Sequence, residues 1–369
     1  MATGLVWHER YMWHDTRHGA GPVPAGGWLE PGEHSENPGT KRRFKNLMDL
    51  GGLTEHLVAI APREATEDEV LRVHTREHLE RIRALSADNG GDAGDGGTPF
   101  GPGSFEIALL SAGGVIAAVD AVLDGTVSNA YALVRPPGHH ALADMGMGFC
   151  IFGNCAIAAR HAREARGVDR VAIVDWDVHH GNGTQAAFYG DPTVLTISLH
   201  QDNCFPPGSG QIEENGEGDG LGANINVPLP AGSGVPAYVR AVERVVVPAL
   251  DRFRPGLLIV ASGLDANGMD PLARQLMHSD GYRELTRLLM GVVERHAGGR
   301  LVIAHEGGYS QAVVPFCGLA IVETLSGIRT RVEDPFVAMI APQAGETVLP
   351  HQDEAIERAA ALVERVPAA

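Results

Sequence analysis

The chain has 369 residues, 44% of them hydrophobic and 20% charged, with 29 Lys and Arg against 46 Asp and Glu for a formal net charge of −17. This is a globular composition, not a disordered one. The acidic balance argues against nucleic acid or an anionic membrane as partner, since both reward clustered Lys and Arg. Four cysteines, Cys150, Cys155, Cys204 and Cys317, form no C-x-x-C pair. They speak against a zinc knuckle and fit free, mostly buried thiols in a reducing cytoplasm. The N-terminal MATGLVWHERYMWHD lacks the basic and apolar regions of a signal peptide. No apolar run is expected to reach the 18 or so residues that span a bilayer. A cytoplasmic protein is therefore expected.

In chain order, residues 14–42 are rich in Gly, Pro and His and read as a long loop. A helix is predicted over 105–124, after a second loop, DNGGDAGDGGTPFGPGS, over 88–104. Loops this long in a compact protein are rims or linkers. Neither is flanked by a composition shift, so 1–369 reads as one domain with two rim loops. The strand AYALV (130–134) follows, then a helix over 154–166 and the strands RVAIVD (170–175) and TVLTIS (193–198). A helix over 236–252 leads to the strand GLLIVAS (256–262), a helix over 279–297 to RLVIAH (300–305), and helices over 312–326 and 353–366 close the chain. Apolar, β-branched strands separated by helices imply an α/β protein, a central parallel sheet with helices on both faces.

Each strand is followed by polar cargo: RPPGHH, DWDVHHGNG, LHQDNCFPPGSG, GLDAN and EGGYS. The carboxyl edge of an open α/β sheet is where ligands bind. In extended chain, alternate residues share a face, so Asp175, Asp177 and His179 are expected to point one way. Asp177 and His179 offer a D-x-H pair of carboxylate and imidazole, and Asp265 can add a third ligand from a neighbouring strand. Three protein ligands leave one position open for water, the layout of a catalytic zinc, although this donor set also admits Fe(II), Co(II) or Mn(II). Pro136, Pro137 and Gly138 restrict the loop that carries His139 and His140. Tyr309, after two glycines, is placed to donate a hydrogen bond to a developing oxyanion. His161, His278, His296 and His351 read as surface residues. His180 points away by alternation, and a structural hydrogen bond is expected for it.

Taken together, RPPGHH, GFCIFGN, DWDVHHGNG, ISLH, CFPPGSG, SGLDAN and EGGY stand in the order and approximate spacing of the histone deacetylase / acetylpolyamine amidohydrolase family. The resemblance covers roughly residues 30 to 330 and is nearest to bacterial, class II-like histone-deacetylase-like amidohydrolases. It implies the arginase–deacetylase fold and hydrolysis of an acyl-lysine-like amide by metal-activated water. By the match, Asp177, His179 and Asp265 hold zinc, and Tyr309 polarises the carbonyl. His139 pairs with Asp175 as electrostatic support, and His140 pairs with Asn182 as proton shuttle. Phe149 and Phe205 line the tunnel, the Gly148 carbonyl receives the substrate amide N–H, and Leu272 is the gatekeeper. A structural potassium is implied at Asp175, Asp177, His179, Ser198 and Leu199, and a second near Phe188, Asp191 and Val194. A homo-oligomer, tetramer or dimer, is implied, with 14–42 at its interface.

Three other readings compete. Acetylpolyamine hydrolysis fits the family, but Leu272 stands where an acidic gatekeeper would suit polyamines. An arginase-like binuclear ureohydrolase needs carboxylates where this chain has Gly181 and Asn267. A non-catalytic acyl-lysine binder would be expected to lack Tyr309 or the histidine pair.

Overall fold

A computed structural model describes residues 2–369. Its strands are β1 (Thr3–Val6), β2 (His18–Ala20), β3 (Val23–Pro24), β4 (Gly32–Glu33), β5 (Val58–Ile60), β6 (Gly91–Asp92), β7 (Pro99–Phe100), β8 (Asn129–Ala132), β9 (Val171–Asp175), β10 (Val194–Gln201), β11 (Asn224–Leu229), β12 (Leu257–Ser262) and β13 (Leu301–His305). Eight of them form one sheet in the order β11-β10-β9-β12-β13-β8-β1-β5, with every neighbouring pair parallel. The main helices are α1 (Gly39–Leu50), α2 (Glu67–Val70), α3 (Arg76–Ala87), α4 (Ser104–Leu123), α5 (Asn154–Glu164), α6 (Asn182–Phe188), α7 (Val235–Ala241), α8 (Val247–Phe253), α9 (Ser279–His296), α10 (Val314–Ser326), α11 (Val337–Ala344) and α12 (Pro350–Ala360).

The sheet is buried on both faces because its strands are apolar at both parities. In β9, Ala172 and Val174 join a core with Phe44 and Met48 of α1 and Leu285 and Leu289 of α9. Val171 and Ile173 of the same strand join the opposite core, with Val115 and Ile116 of α4 and Ile157 of α5. Each of the Val, Leu, Ile, Phe and Met side chains among them contributes about 1.5–3 kcal/mol when fully buried. This is the expected α/β architecture, a central parallel sheet with helices on both faces.

Several local expectations are corrected. β1, β5 and β11 were not expected. β1 contains Gly4, where a Cβ would overlap Ile60 on the neighbouring β5. β11, NINVPL, breaks the apolar pattern because Asn224 and Asn226 bond Gln185, and its Pro228 is tolerated on an edge strand. The early segment is not all loop: β2, β3 and β4 form a small antiparallel sheet, and α1 begins at Gly39. Residues 88–104 hold the short β6–β7 ladder. The helix expected over 236–252 carries a wide turn over Val242–Val246 between α7 and α8. Pro248, which offers no N–H, follows it, and such a turn absorbs the missing bond. The last helix starts at Pro350 and ends at Ala360. Finally, α4 is 20 residues long and apolar enough, by length and composition, to cross a bilayer, contrary to the expectation. Here it is a core helix with most of its side chains buried.

One buried ionic cluster ties the early segment to the sheet. Glu36 accepts from Lys41 Nζ at 2.9 Å and from Arg135 Nε at 2.9 Å on both oxygens. Arg135, in the loop that follows β8, also donates to the carbonyls of His14 (2.7 Å) and Tyr11 (3.2 Å). All three charged side chains are essentially inaccessible. Burial alone would raise Glu36, but Arg135 and Lys41 outweigh it and hold the carboxyl far below its ordinary value. Its contribution to stability is therefore complete above the unfolded value of 4.5 and shrinks as pH falls from there toward the lower folded value. Glu36→Gln leaves two cations under-compensated in the interior and should cost about 3–5 kcal/mol. Denaturant unfolding at pH 7 measures this, and an unchanged midpoint would show that the cluster is not what anchors the segment.

Candidate active site

β9 leads outward to β10 and β11, whereas β12 leads to β13 on its other side. The carboxyl ends of β9 and β12 are thus adjacent at a point where the winding direction changes, the place where open α/β sheets form a crevice. Asp177 and His179 follow β9, and Asp265 follows β12. The strand proper ends at Asp175, so Asp177 and His179 lie in a bend, not on the extended chain that was expected. The alternation survives nonetheless, because Trp176 and Val178 are packed in the core.

One potential ligand atom from each of Asp177, His179 and Asp265 lies within 4.8 Å of the others. The residues around them hold the set in place. Val178 N–H donates to Asp265 Oδ1 at 2.9 Å, and Gly307 N–H donates to Asp177 Oδ2 at 2.9 Å. His179 Nδ1 is 3.1 Å from Asp177 Oδ1. Asp265 Oδ2 is buried and has no hydrogen-bond partner; its 3.3 Å approach to His179 Nδ1 lacks the geometry of one. A Cβ at Gly307 would overlap carboxylate oxygens of both Asp265 and Asp177, so the glycine of EGGY is what lets the backbone come so close. Burial and the charge of Asp177 push Asp265 up to about 6. Two inaccessible carboxylates, one imidazole and an orphaned oxygen are a donor set that fits a divalent cation with N and O preference.

The two tandem histidines differ in their surroundings. His139 Nδ1–H donates to Asp175 Oδ2 at 2.9 Å, and His140 Nδ1–H donates to Asn182 Oδ1 at 2.8 Å, the pairings expected from the resemblance. Burial opposes charge on His139, but the carboxylates of Asp177 and Asp175 outweigh it and push the ring up to about 10. His140 has no carboxylate partner. Burial, then the neighbouring His139 and His179, push it well below its ordinary value. One ring is thus held charged and the other neutral.

A cavity of about 250 Å³ opens over the cluster. Of the expected residues, His140, Gly148, Phe149, His179, Phe205, Leu272 and Tyr309 line it. Phe205 packs edge-on to His140 with centroids 4.9 Å apart, and Phe149 does so to Tyr309 at 5.8 Å. Gly148 has φ +55°, and a Cβ there would overlap His140. Both rim loops reach the mouth: Pro22 comes from the first, and Asp95 and Gly97 from the second. His139, Asp175, Asp177, Asn182, Ser198, Leu199 and Asp265 lie outside the lining, so His179 alone of the three metal-type donors reaches the cavity. Asp175 and Ser198 are register partners on β9 and β10.

Other histidines are resolved by the packing. His180 pairs with Ser209 Oγ at 2.8 Å and donates to Gln185 Oε1 at 3.0 Å, so its contacts are structural. His161 and His278 are buried rather than on the surface. His161 donates to Asp120 Oδ1 at 2.8 Å, which nothing local in the sequence announces.

Four residues at the site were not singled out from the sequence. Asp95 accepts Gly148 N–H at 2.9 Å, and Cys204 lines the cavity. Glu306 Oε2 accepts from Gly138 N–H (2.5 Å) and His139 N–H (3.1 Å), pinning the histidine loop. Asp270 accepts from the Tyr309 backbone. Nothing local marks Glu306 in HEGGYS or Asp270 in DANGMDP: each reads as a solvated loop carboxylate until its backbone donors are brought to it.

Comparison with known proteins identifies the family and the fold. Residues 34–325 match a family described as "Histone deacetylase domain". The chain is 53% identical over 348 residues to the histone deacetylase-like amidohydrolase of Pseudomonas aeruginosa, covering 93% of this chain and 91% of that protein. It is 37% identical over 333 residues to a probable deacetylase of Archaeoglobus fulgidus, covering 89% and 87%. The solved HD domain of HDA15 superposes with a TM-score of 0.82 at 32% identity, covering 99% of both chains.

Proposed function

This chain is a member of the histone deacetylase family, and from that premise we propose that it is a zinc-dependent amidohydrolase removing acetyl or other short acyl groups from acyl-lysine-like amines. The observation that carries the reading is the orphaned Asp265 oxygen among three buried metal-type donors, one of which, His179, lines an apolar cavity together with His140 and Tyr309. Asp177, His179 and Asp265 would hold the ion. Zinc, when bound, supplies a Lewis acid that polarises the amide carbonyl and lowers the pKa of water to about 7.

The protein's own groups do the rest. Phe149 and Phe205 exclude water and hold the acyl-amine side chain, and the Gly148 carbonyl receives its amide N–H. His140, neutral and fixed at Nδ1 by Asn182, takes the proton of the attacking water at Nε2 and passes it to the leaving nitrogen. His139, held charged beside Asp175, stabilises the negative charge that develops. The Tyr309 phenol donates to the tetrahedral oxyanion. The products are a free amine and a carboxylate.

The apolar Leu272 in the lining favours acyl-lysine over acetylpolyamine. Asn267 donates to the Leu264 carbonyl at 2.7 Å and Gly181 offers no side chain, which disfavours a binuclear ureohydrolase. A structural potassium is proposed at Asp175, Asp177, His179, Ser198 and Leu199, supported by the register of Asp175 with Ser198. Self-association through residues 14–42 is supported by Trp28, which is fully exposed.

The test is a panel of acyl-lysine peptides and acetylputrescine on zinc-loaded enzyme, with and without a hydroxamate chelator. Hydroxamate-sensitive release of acetate, fastest from acetyl-lysine, is the expected result. Silence across the whole panel would remove the reading, and two manganese ions per chain would move it to the ureohydrolases.

A further inference from the structure

Asp270 belongs to the loop after β12, in DANGMDPLAR, and none of the roles above uses it. Its side chain is buried, yet it lines no part of the cavity. Both of its oxygens are engaged. Oδ2 accepts the backbone N–H of Tyr309 at 2.8 Å, and Oδ1 accepts that of Leu272 at 3.0 Å. Asn267 Nδ2 stands 3.4 Å from Oδ2, while Asn267 Oδ1 accepts from Met269 N–H at 3.0 Å, so the loop is braced from within.

Neither residue it grips lies in a regular element, although Phe149 packs against the Tyr309 ring and Cys204 Sγ stands 3.8 Å from the Leu272 carbonyl. β13 ends at His305 and α10 begins at Val314, so Tyr309 lies between regular elements. The preceding Gly308 has φ +122°, a conformation that places few limits on a glycine. Leu272 likewise sits in irregular chain. Both side chains line the cavity. A carboxylate accepting two N–H bonds is a strong, directional clamp.

We propose that Asp270 is a positioning and specificity-determining residue, whose two oxygens hold the Tyr309 and Leu272 backbones at one separation. The placement of the phenol and the length of acyl chain admitted are then set together. This rests on the acyl-amine hydrolase reading. Asp270→Asn keeps one acceptor oxygen and turns an NH₂ toward the other N–H, so one arm of the clamp opens. Misplacing a reacting group by about 1 Å lowers rates by up to about 10²-fold.

The experiment is a double-mutant cycle of Asp270→Asn and Tyr309→Phe in the full chain, with kcat and KM measured on acetyl-, butyryl- and hexanoyl-lysine peptides. Unfolding midpoint and zinc content are recorded for each variant. Asp270→Asn should lower kcat by about 10- to 100-fold with a smaller change in KM. It should narrow the preference between acetyl and the longer chains, and lower activity little further in the Tyr309→Phe background. Equal losses in both backgrounds, or an unchanged chain-length preference, overturn the proposal. A second measurement needs neither variant nor activity. In the wild-type chain, residue-resolved hydrogen exchange should show the Tyr309 and Leu272 amides protected to a similar degree, and free exchange at either one also overturns it. A wild-type chain without hydrolysis would instead sink the enzyme reading, leaving the exchange result to judge the clamp.

Discussion

Asp265→Ala is expected to lose bound zinc and hydrolysis together, with a loss beyond the roughly 10–100-fold typical of changes outside the ligand set. Two contacts disappear at once. The orphaned Oδ2 is the donor no protein group satisfies, and Oδ1 anchors Val178 N–H between the other two ligands. Asp265→Asn separates the effects, because an amide oxygen can still accept from Val178 while the charge is gone. It should keep the loop ordered and still bind zinc poorly. The metal-free protein carries a further sign. Asp265 is raised from 3.8 to about 6 by burial and the charge of Asp177. Between those values the folded state binds more protons than the unfolded one, so this group lowers the stability of chelator-treated protein as pH rises from about 4 to about 6. A bound cation reverses that penalty. Titration calorimetry with zinc and thermal melts across this pH range measure both effects. Unchanged zinc affinity in Asp265→Ala would strike the residue from the ligand set.

His140→Ala is expected to lower kcat/KM by about 10²–10⁴, the usual worth of a positioned general acid–base. His139→Ala should cost less. The difference follows from their partners. His140, bonded to the neutral Asn182 and pushed well below its ordinary value, stays unprotonated at neutral pH and can accept a proton. His139, held at about 10 by Asp177 and Asp175 against the effect of burial, is already protonated there. Its charge is present below that value and disappears as pH rises through it. A bound cation would compensate the charge of Asp177 and lessen the upward push on His139, so the separating readout is the size of the loss: removing His140 should depress the whole pH–rate curve, and removing His139 should depress it less. If His140→Ala kept most of its activity and His139→Ala lost it, the two roles would be exchanged.

The site was legible where its chemistry is local. D-x-H after a strand, two histidines behind two prolines and a tyrosine behind two glycines are each visible within a few residues, and their occurrence together at strand ends is what points to a site. Their partners declare nothing. Asp270 meets Tyr309 across 39 residues, and Glu306 meets Gly138 across 168. Neither acid differs in sequence from a solvated loop carboxylate. His161 was misread for the same reason, since its partner Asp120 is on another helix. In the fold, the longer buried apolar strands were visible; β1 with its glycine, the three-residue and largely exposed β5, and β11 with its asparagines were not. β11 escaped notice because Asn224 and Asn226 satisfy a side-chain network rather than pack in the core.

By itself the sequence determined the alternation of buried strands and helices, the polar loops at the strand ends, and the residue types available to bind a cation and move a proton. Those follow from hydrophobic period, turn chemistry and donor identity, which are properties of short segments. Only the tertiary structure decided that β12 enters the sheet between β9 and β13 instead of beside β11. That order is set by which helices can cover each face of the whole sheet, a long-range burial no segment encodes alone. It is also what carries Asp265 to Asp177 and His179, and the Tyr309 backbone to Asp270.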